Sequence, residues 1–167
     1  MADSDSREDF RPVIRLAQPE EAGALSTLAF RSKAYWGYDI DFMKRCRDEL
    51  KFSVDDIRSS QSRFYVCENA GEPIGFYALR LLEDSMAELD ALFVAPKFIR
   101  CGIGTALVEH AKRTAGQLGV GMVVIQGDPN AEAFYLSMGA VAGGYRESAS
   151  MPGRYLPIFK LTIERVD

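Results

Sequence analysis

The chain has 167 residues, is 47% hydrophobic and carries a net charge of −4, so it is long enough for one domain with a real core and needs no metal or disulfide staple. The slight acidity argues against the basic surface of a nucleic-acid binder, and no apolar run reaches membrane-spanning length. Cys46, Cys67 and Cys101 are odd in number, widely spaced and accompanied by one histidine, His110, which argues against a zinc site or a disulfide framework and for a reducing, cytoplasmic setting.

Met1 to Asp9 is polar and acidic and lacks the apolar centre of a signal peptide. Residues 1–10 are expected as a flexible tail ahead of one domain over 11–167. Val13 to Leu16 reads as a strand. Pro19, Glu20 and Glu21 open a helix, since proline and acids suit a helix start, and Ala22, Leu25, Leu28 and Ala29 mark its apolar stripe. An aromatic stretch comes next: Tyr35, Trp36 and Tyr38, broken by Gly37. A second helix is predicted from Asp41 to about Leu50 and a short helical piece from Val54 to Ser59. Arg63 to Glu68 and Ile74 to Leu82 read as a hairpin around the turn Asn69–Pro73, where Asn and Gly tolerate positive φ. Met86 to Val94 is the next strand. A helix runs from about Ile103 to Leu118, with Ile103, Leu107, Ala111 and Leu118 on its apolar side, and Gly119 stops it. Met122 to Ile125 is a continuous apolar run, as expected of a strand covered on both faces. A short helix from Asn130 to Met138 ends at Gly139, and strands near 142–148 and 155–163 flank the loop Met151–Arg154. Helices on both faces of a mixed sheet are the natural packing of this order.

The most informative stretch is Glu88-Leu-Asp-Ala-Leu-Phe-Val-Ala-Pro96 followed by Arg100-Cys-Gly-Ile-Gly-Thr105. A strand stops at a proline, turns, and enters a helix through two glycines. Backbone N–H groups from Arg100 to Thr105 then point at a space that suits an anion such as a pyrophosphate, with Arg100 adding charge. No Lys follows these glycines as a Walker loop requires, and Leu107 stands where a dinucleotide fingerprint has its third glycine. The two glycines alone fit a tight strand-to-helix turn with no ligand as well.

Val94-x-Pro96, Gly102-x-Gly104 opening a helix, and Asn130-Ala-x-Ala-Phe-Tyr135-x-x-Met-Gly139 together resemble the GNAT superfamily of acetyl-CoA-dependent N-acetyltransferases. The matching core runs from about Ile74 to Ala140. The resemblance implies a single-domain α/β fold with a mixed, mostly antiparallel central sheet and helices on both faces. It implies acetyl-CoA as co-substrate and no metal. Main-chain groups of Leu92, Phe93 and Val94 would hold the pantetheine arm where the central strands splay. The loop Arg100, Cys101, Gly102, Ile103, Gly104 and Thr105 would hold the diphosphate. Ile99 stands where the family has Gln or Arg, with Arg100 beside it as a substitute.

In the same reading Tyr135 is the general acid that protonates the leaving thiolate, the alternative being a core aromatic. Asn130 contacts the carrier or caps the helix, and Asp128 is an equally good cap. Glu88 falls where one branch of the superfamily places its base. By strand alternation Glu88, Asp90, Leu92 and Val94 share one face, and the two carboxylates accept the ammonium proton or simply form salt bridges. Lys33, Tyr35, Trp36, Tyr38, Asp39 and Asp90 are expected in the acceptor cleft. There an aromatic wall would hold a cationic amine, unless these are helix-packing hydrophobes, and the Met151–Arg154 loop would cover it. His110 is expected in solvent, and Cys101 as an inert small side chain. The function implied is transfer of acetyl to the primary amine of a small molecule by direct attack in a ternary complex. The rivals are a non-catalytic acyl-CoA sensor and a protein or peptide acetyltransferase. A homodimer is expected only by analogy with the family.

Overall fold

The computed structural model describes residues 10–164, so the expected tail lies almost wholly outside the described residues. Seven strands form one sheet: β1 (Val13–Leu16), β2 (Ser62–Asn69), β3 (Glu72–Leu81), β4 (Met86–Val94), β5 (Met122–Gln126), β6 (Val141–Glu147) and β7 (Tyr155–Thr162). Their order is β1-β2-β3-β4-β5-β7-β6. Among these strands only β4 and β5 run parallel; the other neighbours are antiparallel. The helices are α1 (Ala22–Ala34), α2 (Ile40–Cys46), α3 (Val54–Arg58), α4 (Ile103–Gln117) and α5 (Glu132–Ser137). The predicted second helix ends in a 3-10 turn over Arg47–Leu50.

Both faces of the sheet are covered, as the apolar runs in β3 and β5 require. Leu25, Leu28 and Ala29 of α1, with Met43 and Cys46 of α2, pack on Phe76, Ala78 and Ala91. Ile103, Leu107, Val108 and Ala111 of α4, with Tyr135 of α5, pack on Tyr77, Leu79, Ala87, Leu89 and Val123 of the other face. A fully buried side chain such as Leu107 (0% exposed) contributes about 1.5–3 kcal/mol. Leu118 departs from the expected stripe and is 39% exposed. The helix is over at Gln117, and Val120 N–H already returns to Ala115 C=O at 2.9 Å around Gly119.

His110 is not in solvent as expected. It is half-buried, its Nδ1 lies 2.7 Å from Tyr77 Oη and 3.3 Å from Thr114 Oγ1, and its ring leans on Tyr65. Partial burial, helped by Arg113, lowers its pKa. Charged neighbours in sequence did not reveal that this helix face turns toward the two tyrosines.

Two irregularities in β4 shape the end of the sheet. Ala78 pairs with Ala91 but Leu79 with Leu89, so Asp90 is an extra residue with no partner on β3. The bulge inverts the alternation. Ala87 and Leu89 before it pack on the α4 side, whereas Ala91 and Phe93 after it pack on the α1 side. The expectation that Glu88, Leu92 and Val94 share a face is therefore wrong: Leu92 and Val94 pack with α4, and Glu88 is on the opposite face. In addition, β4 pairs with β5 only from Met86 to Glu88. Beyond that point β4 continues to Val94 beside β3, while β5 continues to Gln126 beside β7. The sheet opens into a wedge.

Candidate active site

The wedge leads to the start of α4. Gly102 caps this helix at φ 81°, and Arg100 also adopts a left-handed φ, 68°. The first helical bond runs from Ala106 N–H to Gly102 C=O at 3.1 Å. The N–H groups of Ile103, Gly104 and Thr105 therefore have no main-chain partner, and the positive end of the helix dipole adds to them. Arg100, Gly102, Gly104 and Thr105 line a cavity of about 720 Å³, which also reaches Leu92, Phe93 and Val94 in the wedge. Two predicted loop residues contribute less. Cys101 is exposed and its N–H is taken by Phe98 C=O at 3.3 Å; the Ile103 side chain is buried in the core and leaves only its N–H.

Tyr135 lines the same cavity from α5 and is 6% exposed. Its ring packs between Phe134 and Phe159, with centroids at 5.3 and 5.4 Å. Its hydroxyl makes no hydrogen bond among the described residues. Burial, reinforced by the nearby Asp128 charge, pushes the phenol pKa up.

Glu88 and Asp90 both reach the cavity but in different states. Glu88 is bound on one oxygen by Arg80 at 2.6 Å and on the other by Arg146 at 3.5 Å. Asp90, on the bulge, has no ion pair among the described residues. Its side chain is exposed, and partial loss of hydration raises its carboxyl pKa above the ordinary value; Arg80 opposes this, and the charges of Glu88 and Asp56 add to it.

Another end of the cavity is organised around Asp128. Oδ2 accepts from Tyr38 Oη at 2.7 Å, and Oδ1 accepts from Asn130 N at 2.9 Å and Asn130 Nδ2 at 2.8 Å. Asp128 is thus the cap that sequence left open between it and Asn130. Lys33 lies 3.5 Å and Arg154 4.0 Å from the same carboxylate. Burial works to raise the Asp128 pKa, but the bonds from Tyr38 and Asn130 and the Lys33 charge outweigh it and hold the carboxyl below its ordinary range. Tyr38 is pushed up to about 12 by burial and by Asp128. Tyr38 stacks on Phe42 at 4.1 Å, and Arg154 lies 4.8 Å from the Phe42 centroid while Lys33 lies 5.4 Å from that of Tyr38.

These contacts correct the expected aromatic wall. The Tyr38 face is covered by the chain's own cations, so it is closed to a cationic ligand. Tyr35 is 52% exposed, leans edge-on against Trp36 and does not reach the cavity. Asp39 caps α2 by accepting from Phe42 N at 2.7 Å. Lys33 and Trp36 do line the cavity.

Comparison with known proteins decides the lineage. Residues 28–140 match the sequence profile of the Acetyltransferase (GNAT) family. The chain belongs to this family. A 5-NmdU N-acetyltransferase of Pseudomonas phage PaMx11 is 30% identical over 151 residues, 89% of this chain and 97% of the phage protein. The peptidyl-lysine N-acetyltransferase YiaC of Escherichia coli is 33% identical over 101 residues, 60% of this chain and 65% of YiaC. Uncharacterized N-acetyltransferase MJ1207 of Methanocaldococcus jannaschii is 32% identical over 93 residues, 52% of this chain, and the chain spans 41% of its length. The PaiA N-acetyltransferase of Thermoplasma acidophilum, solved with coenzyme A, has a TM-score of 0.70 at 17% identity, covering 92% of this chain and 99% of its own.

Three residues at the site of this GNAT chain were not named as site residues from the sequence. Asp128 reads there only as a cap, Arg154 only as part of a covering loop, and Gly127 not at all. Gly127 carried a signal, since it immediately follows the β5 run. A Cβ at Gly127 would stand 2.8 Å from the Phe159 ring and 3.2 Å from that of Tyr135. Gly127→Ala is therefore expected to destabilise the protein by about 1–3 kcal/mol through overpacking, and to lower kcat by moving the Tyr135 ring. Urea unfolding and steady-state kinetics check the two effects.

Proposed function

We propose that the chain transfers acetyl from acetyl-CoA to the primary amine of a small molecule by direct attack in a ternary complex. One observation carries this reading: the unpaired N–H groups of α4, the parted edge of β4 and the hydroxyl of Tyr135 all meet one cavity. The residues fit the co-substrate. Ile103, Gly104 and Thr105 N–H groups, with Arg100, suit a diphosphate. Main-chain groups of Leu92, Phe93 and Val94 on the open edge suit the amide-bearing pantetheine arm, and one N–H there polarises the thioester carbonyl. Asn130 reaches the cavity beside them.

Once neutral, the amine nitrogen attacks the carbonyl carbon, the C–S bond breaks, Tyr135 gives its proton to the sulfur, and the second proton leaving the acylated nitrogen restores the phenol through solvent. The ammonium proton goes to a carboxylate of the Glu88–Asp90 pair. We assign this role to Asp90, because Glu88 already binds two guanidinium groups whereas Asp90 has no ion pair among the described residues and its pKa is raised. Among the described residues no cysteine lines the cavity, which favours direct attack over an acyl-enzyme. The Arg154 stack on Phe42 draws the β6–β7 loop over α2 and favours a small acceptor over a peptide.

A base must be ionised to work, so a raised Asp90 pKa moves the loss of activity to higher pH than an ordinary carboxylate would show. Asp90→Asn is expected to abolish this acid limb of kcat/KM and to cut the rate about 10²-fold; a retained limb returns the role to Glu88. Calorimetry with acetyl-CoA, followed by thiol release across small amines and lysine peptides, tests the whole reading. Binding without turnover on any amine would leave the sensor alternative, and turnover on peptides alone would leave the peptidyl one.

A further inference from the structure

We infer that Tyr38 and Lys112 are positioning residues: from opposite ends they hold α5 in place, and with it the phenol of Tyr135. The inference rests on the transferase reading above, because it concerns the acid of that reaction.

α5 has six residues, too few for a helix to stand by itself, and Tyr135 is its one buried side chain. The Tyr135 ring is packed, but its hydroxyl makes no hydrogen bond among the described residues. Where that oxygen sits is therefore set by where the helix sits, and a reacting group displaced by an ångström loses much of its effect. β5, which leads toward α5, has parted from β4 after Val124. The segment carrying Tyr135 needs another tie to the β4 side of the wedge.

Tyr38 supplies that tie. It lies in the link between α1 and α2, which pack on β3 and β4. Its oxygen meets three residues of the β5–β7 side. It donates to Asp128 Oδ2 at 2.7 Å and accepts from Asn130 Nδ2 at 3.1 Å and Arg154 Nη2 at 3.2 Å. Asp128 caps the 3-10 turn Pro129–Ala131, and that turn runs directly into α5. The Phe42 ring, stacked at 4.1 Å and 15°, fixes the plane in which the phenol lies. Among the described residues the cavity wall includes Lys33, Asp128 and Asn130 but not Tyr38. Tyr38 therefore acts through these neighbours and not on a ligand.

Lys112 holds the other end. It stands on α4, and its Nζ donates to the carbonyl of Met138, the residue that closes α5, at 2.6 Å. That carbonyl belongs to the unpaired set at a helix C-terminus, where a cation is favoured. Lys112 also lies 3.6 Å from Glu109, one turn back on its own helix. α4 is anchored in the core by Leu107, Val108 and Ala111. The helix whose start offers the free N–H donors thus also grips the helix that carries the acid.

The test is a double-mutant cycle. Tyr38→Phe keeps the ring stack and removes the shared oxygen. It is expected to lower kcat about tenfold with little change in the KM for acetyl-CoA. Lys112→Met is expected to act in the same direction. Glu109→Gln, which removes the ion pair of Lys112 but not its bond to Met138, is expected to keep native kcat. In a Tyr135→Phe background, Tyr38→Phe is expected to cost little more, because the group it positions is gone. Where Tyr135→Phe is itself impaired, a native kcat in Tyr38→Phe, or the same loss in both backgrounds, overturns the inference. Hydrogen exchange reads the clamp without turnover. Tyr38→Phe and Lys112→Met are expected to speed exchange at the amides of α5 while those of β3 stay protected. Unchanged exchange in α5 overturns the inference whatever the kinetics. Faster exchange in α5, together with native kcat in Tyr135→Phe, would defeat the acid role of Tyr135 and keep the clamp.

Discussion

Tyr135→Phe is expected to lower kcat about 10²–10³-fold with little change in the KM for acetyl-CoA. The phenol is 6% exposed, and burial keeps it protonated through neutral pH. The phenol therefore still carries its proton when the C–S bond breaks and negative charge develops on the sulfur. The ring packs between Phe134 and Phe159 and its hydroxyl holds no partner among the described residues. Phenylalanine therefore preserves the packing and removes only the proton. Steady-state thiol release measures kcat, and a thermal melt confirms that the fold is intact. A variant with native kcat on a true acceptor would remove the acid role and return Tyr135 to the core.

Gly104→Asp is expected to weaken acetyl-CoA binding about 10²-fold or more, because a carboxylate placed at the start of α4 competes for the donors and repels the diphosphate. A Cβ at Gly104 would meet the Phe134 ring at 3.4 Å, an ordinary contact, so the effect comes from charge more than from crowding. Gly104→Ala is the control and is expected to lose far less affinity. Stability moves the opposite way: an acid near a helix N-terminus is stabilising by about 0.3–1 kcal/mol. Calorimetric titration and urea unfolding separate the two. Full affinity in the Asp variant would mean that the helix end does not hold the diphosphate.

The local elements were legible because their signals are local. The stripe Leu25, Leu28, Ala29 announces α1 by its period, the glycine at 119 ends α4, and the Asn69–Pro73 turn joins β2 to β3. The glycine loop at the start of α4 was legible for a similar reason, since donors at a helix start come from chain geometry around Gly102 and Gly104. Asp90 was named in the sequence beside Glu88, but its place on a bulge was not legible, because a bulge is defined by the partner strand. Nothing between Glu88 and Leu92 shows that Leu79 pairs with Leu89 while Ala78 pairs with Ala91.

The amino-acid order by itself determined the succession of strands and helices, the two-sided core and the glycine turn that opens α4, since each depends on neighbours a few residues apart. Only the tertiary structure decided which groups share the cavity. Tyr38 meets Asp128 across 90 residues of chain and Arg154 meets Tyr38 across 116, and these meetings turned an expected open aromatic wall into a cation-covered shelf. The wedge between β4 and β5 is likewise a property of two strands that part company, which neither strand carries in its own residues. Charge neutralisation, burial and strand pairing act between segments brought together by folding, and so the two ion pairs of Glu88 and the bulge position of Asp90 came into view only there.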